Sequence, residues 1–348
     1  MVNSSSATPR VSAEDAPGSK QKGLIKRLTA QAWWPWFKLG ITLVFFGLVG
    51  WLLVTQARAI AWAEVMAALR TYSPASLVIA VLLATGSFVV YSCYDLLSRR
   101  YTGHTLSTKT VMTVTFICYV FNLNLGSLVG GIAFRYRLYS RLGLRPGVIT
   151  RIATFSMLTN WVGYLLLGGL VFVAMPPPLP EQWPITTLHL RLIGGLLVAI
   201  AAGYLALCAL SRQRTLHLRG HDIDLPSIRL ALLQVAVGAG NWLLMSGIIY
   251  VLLQQRIEFP TVVSVLLLAA VAGVIAHIPA GLGVLEAVFI ALLAHRLPQP
   301  AILAALVGYR FIYYLGPLAI AGVVYLVTEA RAKKIGRGSL PPTERRQA

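Results

Sequence analysis

Two opposite charges, Glu286 and Arg310, stand 24 residues apart inside strongly apolar sequence. Arg310 cannot neutralise itself at membrane depth, so it needs a carboxylate or a phosphate beside it. Glu286 is the natural carboxylate. It follows a broken apolar run, Gly273 to Leu293, interrupted by His277, Pro279, Gly281 and Gly283. Proline and glycine free backbone groups there, and such breaks are tolerated where they line a cavity. Glu286 then falls in the first turn of a second half-helix, where the dipole favours a carboxylate and simple capping is the alternative role. Its functional roles would be a proton-linked gate, or a partner for a cationic headgroup. His277 could titrate with it or merely pack. Tyr309, Tyr313 and Tyr314 flank Arg310 and can hydrogen-bond a headgroup or pack around it.

A second constellation runs Asn122, Asn124, Gly126, Gly130, Gly131, Arg135, Arg137, Tyr139. Glycines let backbones approach closely, exposed amides bind anions, and guanidinium groups grip phosphate through two hydrogen bonds. Arg135 and Tyr139 share one helical face. The competing role for these arginines, and for Arg141 and Arg145 beyond them, is orientation of the chain in the membrane. Asp95 precedes Arg99 and Arg100 and is expected to pair with them locally.

These residues must be positioned by membrane-embedded helices. The 348-residue chain is 57% hydrophobic and 12% charged, about half the charge of a soluble domain. Eight apolar segments follow: Leu39–Thr55, Ser76–Leu97, Thr110–Phe134, Val148–Met175, Leu192–Leu210, Leu230–Leu253, Thr261–Leu293 and Ile302–Val327. A transmembrane barrel would show short alternating strands instead. The first run starts too late for a cleaved signal. Trp33, Trp34 and Trp36 before it resemble an interfacial belt, and Trp62–Leu69 is a short amphipathic piece. The cysteines Cys93, Cys118 and Cys208 sit in apolar runs, which disfavours a disulfide framework.

The net charge of +19 suggests nucleic acid, but the basic residues are scattered through the short connections between spans. Orientation explains them better. Eight simple crossings would put the arginine-rich stretch 135–145 outside. The conflict vanishes if 110–134 and 261–293 are re-entrant hairpins. The fold expected is therefore an all-α polytopic membrane protein of about six spans plus two opposed hairpins. Both termini are then cytoplasmic, with 24 of the 30 basic residues inside, five outside and Arg310 within a span. The order span, hairpin, span recurs with opposite direction, an inverted repeat whose hairpin tips meet near the midplane. Residues 31–328 form one membrane domain. Residues 1–30 and 329–348 are basic cytoplasmic tails, read as disordered.

No nucleotide-binding, hydrolase or metalloprotease motif is present. The stretch His217 to Asp224 superficially suggests a metal but lacks further ligands in what reads as a solvated loop. No metal or other cofactor is expected.

With its second motif, Pro279-Ala-Gly-Leu-Gly-Val-Leu-Glu286, and the ordered first, the chain resembles the lysylphosphatidylglycerol synthase transmembrane-region family. That family includes the flippase half of the multiple peptide resistance factor and stand-alone YbhN-like inner-membrane proteins. The resemblance covers roughly residues 35–330. It implies a multi-pass protein of the bacterial inner membrane that handles phospholipid. The full resistance factor carries an aminoacyl-transferase domain after its membrane part. This chain ends about 20 residues past its last span, so lysine transfer is not expected. The function expected is a lipid translocase without enzymatic chemistry. A membrane enzyme, or an accessory subunit in lipid or envelope-glycan synthesis, is the alternative. The partner expected is membrane phospholipid, not nucleic acid, with a homo-oligomer or an envelope-synthesis partner compatible.

Overall fold

Hydrophobic length organises this chain, and its breaks fall at glycines. The computed structural model describes residues 62–180, 183, 185–211, 215–218, 221–276 and 281–338, all within one compact unit, Ala61–Ala348. The Leu39–Thr55 segment, the tryptophan belt, tail 1–30, His277, Pro279 and residues 339–348 lie outside the described residues.

Helix α1, Trp62–Arg70, is the expected amphipathic piece and packs against a later helix, α10, Gln299–Arg310. Helix α2, Pro74–Thr102, opens on Ser73, whose hydroxyl accepts from the Ser76 N–H at 3.1 Å, and closes on Gly103 at φ 71°. Helix α3, Thr108–Leu125, leads to Gly126 at φ 84°, where the chain turns back through a π-helical stretch, Ser127–Ala133, into α4, Phe134–Arg141. The first hairpin is thus longer than its apolar sequence suggests. Both asparagines sit inside α3 because the helix runs 18 residues, about 27 Å. The return leg reaches Arg141, so Arg135, Arg137 and Tyr139 lie on a helix of the hairpin.

Next come α5, Pro146–Ala174, and α6, Thr187–Leu210. The supposed metal loop contains a short antiparallel pair, β1, Thr215–Leu218, and β2, His221–Asp224. The rest of the described architecture is helical. Helix α7, Ile228–Leu252, leads through a connection to α8, Phe259–Ala276, and then α9, Val284–Leu293. After α10 the chain passes through a second π-helical stretch, Phe311–Leu315, into α11, Gly316–Gly338. That last helix continues beyond residue 328, where the membrane domain was expected to end.

Among the described residues six segments are long and apolar enough to cross a bilayer: α2, α5, α6, α7, α8 and the stretch Gln299–Thr328. Leg α8 is therefore long enough to cross by itself, whereas its partner α9 has only ten residues. The two legs pack together, and their open ends are tied. Arg296 Nη1, just past α9, donates to Glu258 Oε2, just before α8, at 2.6 Å. Both legs of the second hairpin thus start and finish at one level.

Much of the apolar surface faces outward. On α6, Leu188, Leu192 and Leu196 are each more than 60% exposed, a face suited to acyl chains rather than water. Inside, α2 packs extensively on α7, and α5 packs on both α6 and α7. A Cβ on Gly163 of α5 would fall 2.3 Å from the Gly238 backbone of α7, so these helices cross with nothing between them. One turn away on each helix, Gln234 Nε2 donates to Thr159 Oγ1 at 2.9 Å, both residues fully buried. Small residues at a crossing and a satisfied polar pair are the usual cement of helices in lipid.

Candidate functional site

Each hairpin is fastened to a neighbouring helix by one arginine and one carboxylate. In the first, Arg135 of α4 meets Asp95 of α2. Nε donates to Oδ2 at 3.2 Å and Nη2 to Oδ1 at 3.1 Å. Arg135 also donates to Ser156 Oγ of α5 at 3.0 Å and to the Gly131 carbonyl at 3.1 Å. Tyr139, one turn on from Arg135, donates to Asp95 Oδ2 at 2.9 Å. Asp95 and Tyr139 are fully buried and Arg135 is 3% exposed. This corrects the expected local pairing of Asp95 with Arg99 and Arg100. Arg99 instead donates to the Leu106 carbonyl and to Thr108 Oγ1. Four of the five guanidinium N–H groups of Arg135 are engaged by protein in this arrangement.

The glycines close this hairpin. A Cβ on Gly130 would fall 2.1 Å from the Phe121 carbonyl carbon, and one on Gly131 would lie 3.0 Å from Asn122 Oδ1. Gly130 permits backbone-to-backbone contact that any side chain would prevent. Asn124 Nδ2 donates to the Val120 carbonyl at 2.9 Å, within its own helix. Arg137 is exposed and lies 5.8 Å from the centre of the Tyr325 ring of α11.

In the second hairpin the signs are exchanged: the carboxylate is on the return leg and the arginine on the next helix. Arg310 Nε donates to Glu286 Oε1 at 2.6 Å and Nη2 to Oε2 at 3.0 Å. Nη2 also donates to the Gly281 carbonyl at 3.2 Å. The Gly283 N–H donates to Glu286 Oε2 at 2.9 Å, so one carboxylate both caps its half-helix and holds the arginine. Gly281 and Gly283 take φ 56° and 78°, conformations that favour glycine. The Arg310 and Glu286 side chains remain 14% and 19% exposed. This pair is reachable, whereas the first is sealed. Arg310 also lies 5.5 Å from the Tyr314 ring centre.

Tyr309 is buried and stacks on Tyr313 at 5.3 Å. Tyr313 belongs to a network that sequence reasoning missed. Its hydroxyl lies 2.7 Å from Ser87 Oγ of α2 and 2.8 Å from the Tyr119 hydroxyl of α3. Ser87 donates to Asn241 Oδ1 of α7 at 2.7 Å. Tyr119 stacks on Tyr91, ring centres 3.4 Å apart, and Tyr91 sits beside Arg135. A buried polar and aromatic tract therefore runs from the first charged pair to the helix carrying Arg310. The signal available in sequence was only a lone Asn241 in an apolar run.

Of the expected residues, the fold gathers Arg135, Gly131 and Tyr139 at the first pair, and Gly281, Gly283, Glu286 and Arg310 at the second. Asn122, Gly126 and Gly130 shape the turn of the first hairpin. Asn124 and Arg137 stand apart from both pairs, whereas Tyr309 packs against Tyr314, which faces Arg310. Among the described residues no His, Cys, Asp and Glu side chains gather in a group fit to hold a metal.

Comparison with known proteins places the chain in a family. The family model for the lysylphosphatidylglycerol synthase TM region matches residues 36–321. "Inner membrane protein YbhN" of Escherichia coli (strain K12) is 47% identical over 303 residues, 87% of this chain and 95% of that one. An uncharacterized protein of Synechocystis, slr0712, is 32% identical over 80% of this chain and 88% of its own. "Phosphatidylglycerol lysyltransferase" of Staphylococcus haemolyticus is 34% identical over 89 residues, 24% of this chain and 11% of that enzyme. With the family model matching most of its length and a 47% identical relative covered almost end to end, the chain belongs to the lysylphosphatidylglycerol synthase transmembrane-region family.

Proposed function

We propose that this protein moves a phospholipid or lipid-linked molecule between leaflets of the bacterial inner membrane, without making or breaking covalent bonds. The observation that carries the reading is the Glu286–Arg310 pair, mostly buried but still partly reachable, at a broken hairpin. A guanidinium held side-on by a carboxylate is a ready phosphate ligand once that carboxylate yields. Glycines at the turn let the return leg shift. The Asp95–Arg135 pair gives the opposite hairpin a fixed counterpart, in keeping with an inverted repeat whose halves alternate. The relative named as an inner membrane protein supports the location. The charge asymmetry supports cytoplasmic termini.

Absence of intrinsic catalysis is part of the proposal. Both membrane-embedded carboxylates, Asp95 and Glu286, are engaged by arginines through two hydrogen bonds each. A carboxylate whose oxygens are both taken by an arginine fork is poorly placed to reach a substrate proton as a general base.

Reconstitution tests the reading. Purified protein goes into liposomes with a panel of labelled phospholipids, and an impermeant quencher reports label in the outer leaflet. Faster equilibration of at least one lipid than in empty liposomes is expected, and its loss in Arg310→Gln. Identical kinetics with and without protein across the panel would refute translocation.

A further inference from the structure

The Glu286–Arg310 pair is not the only place where an arginine is reachable from outside. At one end of the bundle the C-terminus of α1, the connection after α7 and the start of α10 line a half-open cavity of about 180 Å³. One water needs only roughly 15 Å³. Leu252, Leu253, Leu297 and Ala301 form its apolar walls, while Thr71, Tyr72, Gln254 and Arg256 supply the polar ones.

The polar side is built, not incidental. Gln254 and Gln255 both hold positive φ, 55° and 59°, a region that non-glycine residues rarely occupy. That bend brings Gln254 back to the end of α1, where its Nε2 donates to Thr71 Oγ1 at 3.2 Å. Thr71 spends its own proton on the Ala68 carbonyl at 2.7 Å. Gln254 Oε1 then accepts from Arg256 Nη2 at 2.9 Å, fixing the guanidinium. Both ends of one amide are used to aim one arginine.

Arg256 differs from the arginines nearby. Arg296 is neutralised by Glu258 and Arg310 by Glu286. Among the described residues Arg256 has no carboxylate, only a neutral amide. Tyr72 adds a second donor. Burial pushes its phenol up to about 12, with Arg256 acting against that shift, so the hydroxyl keeps its proton at neutral pH.

We propose that this cavity binds a phosphate ester, with the guanidinium of Arg256 and the hydroxyl of Tyr72 on the phosphate oxygens and the glycerol or acyl portion against the leucines. Guanidinium geometry matches phosphate oxygens, and an aimed, unneutralised arginine over an apolar floor fits an amphiphile with an anionic head. The ester is either a membrane phospholipid headgroup or a soluble phosphate ester. The site stands apart from the Glu286–Arg310 pair, and it does not depend on whether lipid crosses the membrane.

Binding to purified, delipidated protein in phosphate-free detergent tests the site directly. One arm titrates glycerol 3-phosphate by calorimetry. The other adds phosphatidylglycerol, or diacylglycerol as a phosphate-free control, and counts bound molecules by native mass spectrometry. Retention of phosphatidylglycerol over diacylglycerol identifies the lipid source, and binding of glycerol phosphate alone identifies a soluble one. In either arm Arg256→Gln is expected to weaken binding about tenfold or more. Arg256→Lys should recover part of that loss, and Tyr72→Phe should lose a few-fold. Arg191→Gln, on α6, should bind like the unmodified chain. Failure of the unmodified chain to bind either probe overturns the proposal. So does equal weakening by Arg191→Gln and Arg256→Gln, which would reduce the effect to general positive charge. Unchanged affinity in Arg256→Gln, with the thermal melt unaltered, overturns it as well.

Discussion

The two hairpins answer one problem in opposite ways. Each must hold a return leg against a neighbouring helix at a depth where unpaired charge is intolerable. The first does it dry: Asp95 and Arg135 are buried, and Ser156, Tyr139 and the Gly131 carbonyl take the remaining bonds. The second leaves Glu286 and Arg310 partly open and rests its turn on two glycines of positive φ. Equal chemistry with unequal burial separates a clamp from a site that can exchange partners. A buried pair is costly to break because either survivor stays desolvated, whereas an open one can be solvated or taken over.

The largest test of that contrast is Asp95→Asn. It strands Arg135 in a dry site and should destabilise by about 3–5 kcal/mol, the usual penalty for breaking a buried pair. Low monodisperse yield or a sharply lowered melting temperature in detergent would show it. Glu286→Gln should melt much closer to the parent while losing translocation. If both variants melted alike, unequal burial would not be what distinguishes the hairpins.

Glycine replacements sharpen the same comparison. Gly130→Ala places a methyl inside the α3 backbone envelope and should lower stability by about 3 kcal/mol or more, since backbone cannot move aside as a side chain can. Gly281→Ala meets nothing within 4 Å. Its expected penalty is only about 1–2 kcal/mol, from forcing a left-handed conformation on alanine. Thermal melts of the two single variants, compared in one detergent, rank them.

Arg310 separates charge from geometry at the open pair. Arg310→Lys keeps the charge but loses the fork, so folding should be nearly preserved while translocation falls about tenfold or more. The double variant Glu286→Gln with Arg310→Gln should recover stability lost by either single change without recovering transport. Strictly additive losses in stability would show that the two residues do not act as a unit.

The smallest effect belongs to the tie across the open ends of the second hairpin. The Glu258 carboxyl is held below its ordinary range by its own backbone N–H first and then by Arg296. A depressed folded-state pKa means the contribution is present above the unfolded value. It is lost as pH falls through the folded one. Amide exchange at the start of α8 and the end of α9 should therefore rise slightly as pH drops from neutral to about 3, after correction for the intrinsic exchange rate. Arg296→Gln should reduce that dependence without abolishing it, because the backbone N–H still favours the carboxylate.

Much of this was legible in sequence, for reasons that differ by element. Spans are readable because a bilayer sets a minimum apolar length and leaves little freedom. Glu286 and Arg310 were readable because each was nearly alone in apolar sequence, so each had one natural partner. Asp95 was not, since Arg99 and Arg100 stood nearer along the chain and hydropathy carries no record of which helices touch. The reach of α3 was also missed. Asn122 and Asn124 looked like a break, but one mid-helix asparagine can satisfy itself on the preceding turn, as Asn124 does with Val120. The network of Ser87, Tyr119, Asn241 and Tyr313 was invisible because each of its members, taken singly, resembles ordinary packing.

The crossing at Gly163 and Gly238 constrains how any motion between halves must proceed. Helix α5 follows the first hairpin and α7 precedes the second, so their contact joins the two hairpin-bearing regions. Where side chains interleave, helices shift by jumping from one ridge to the next groove. Here there are no ridges, and the hydrogen bond from Gln234 to Thr159 stops the helices from sliding lengthwise. The glycine contact and its hydrogen bond thus fix where these two helices meet and leave no side chain between them to repack.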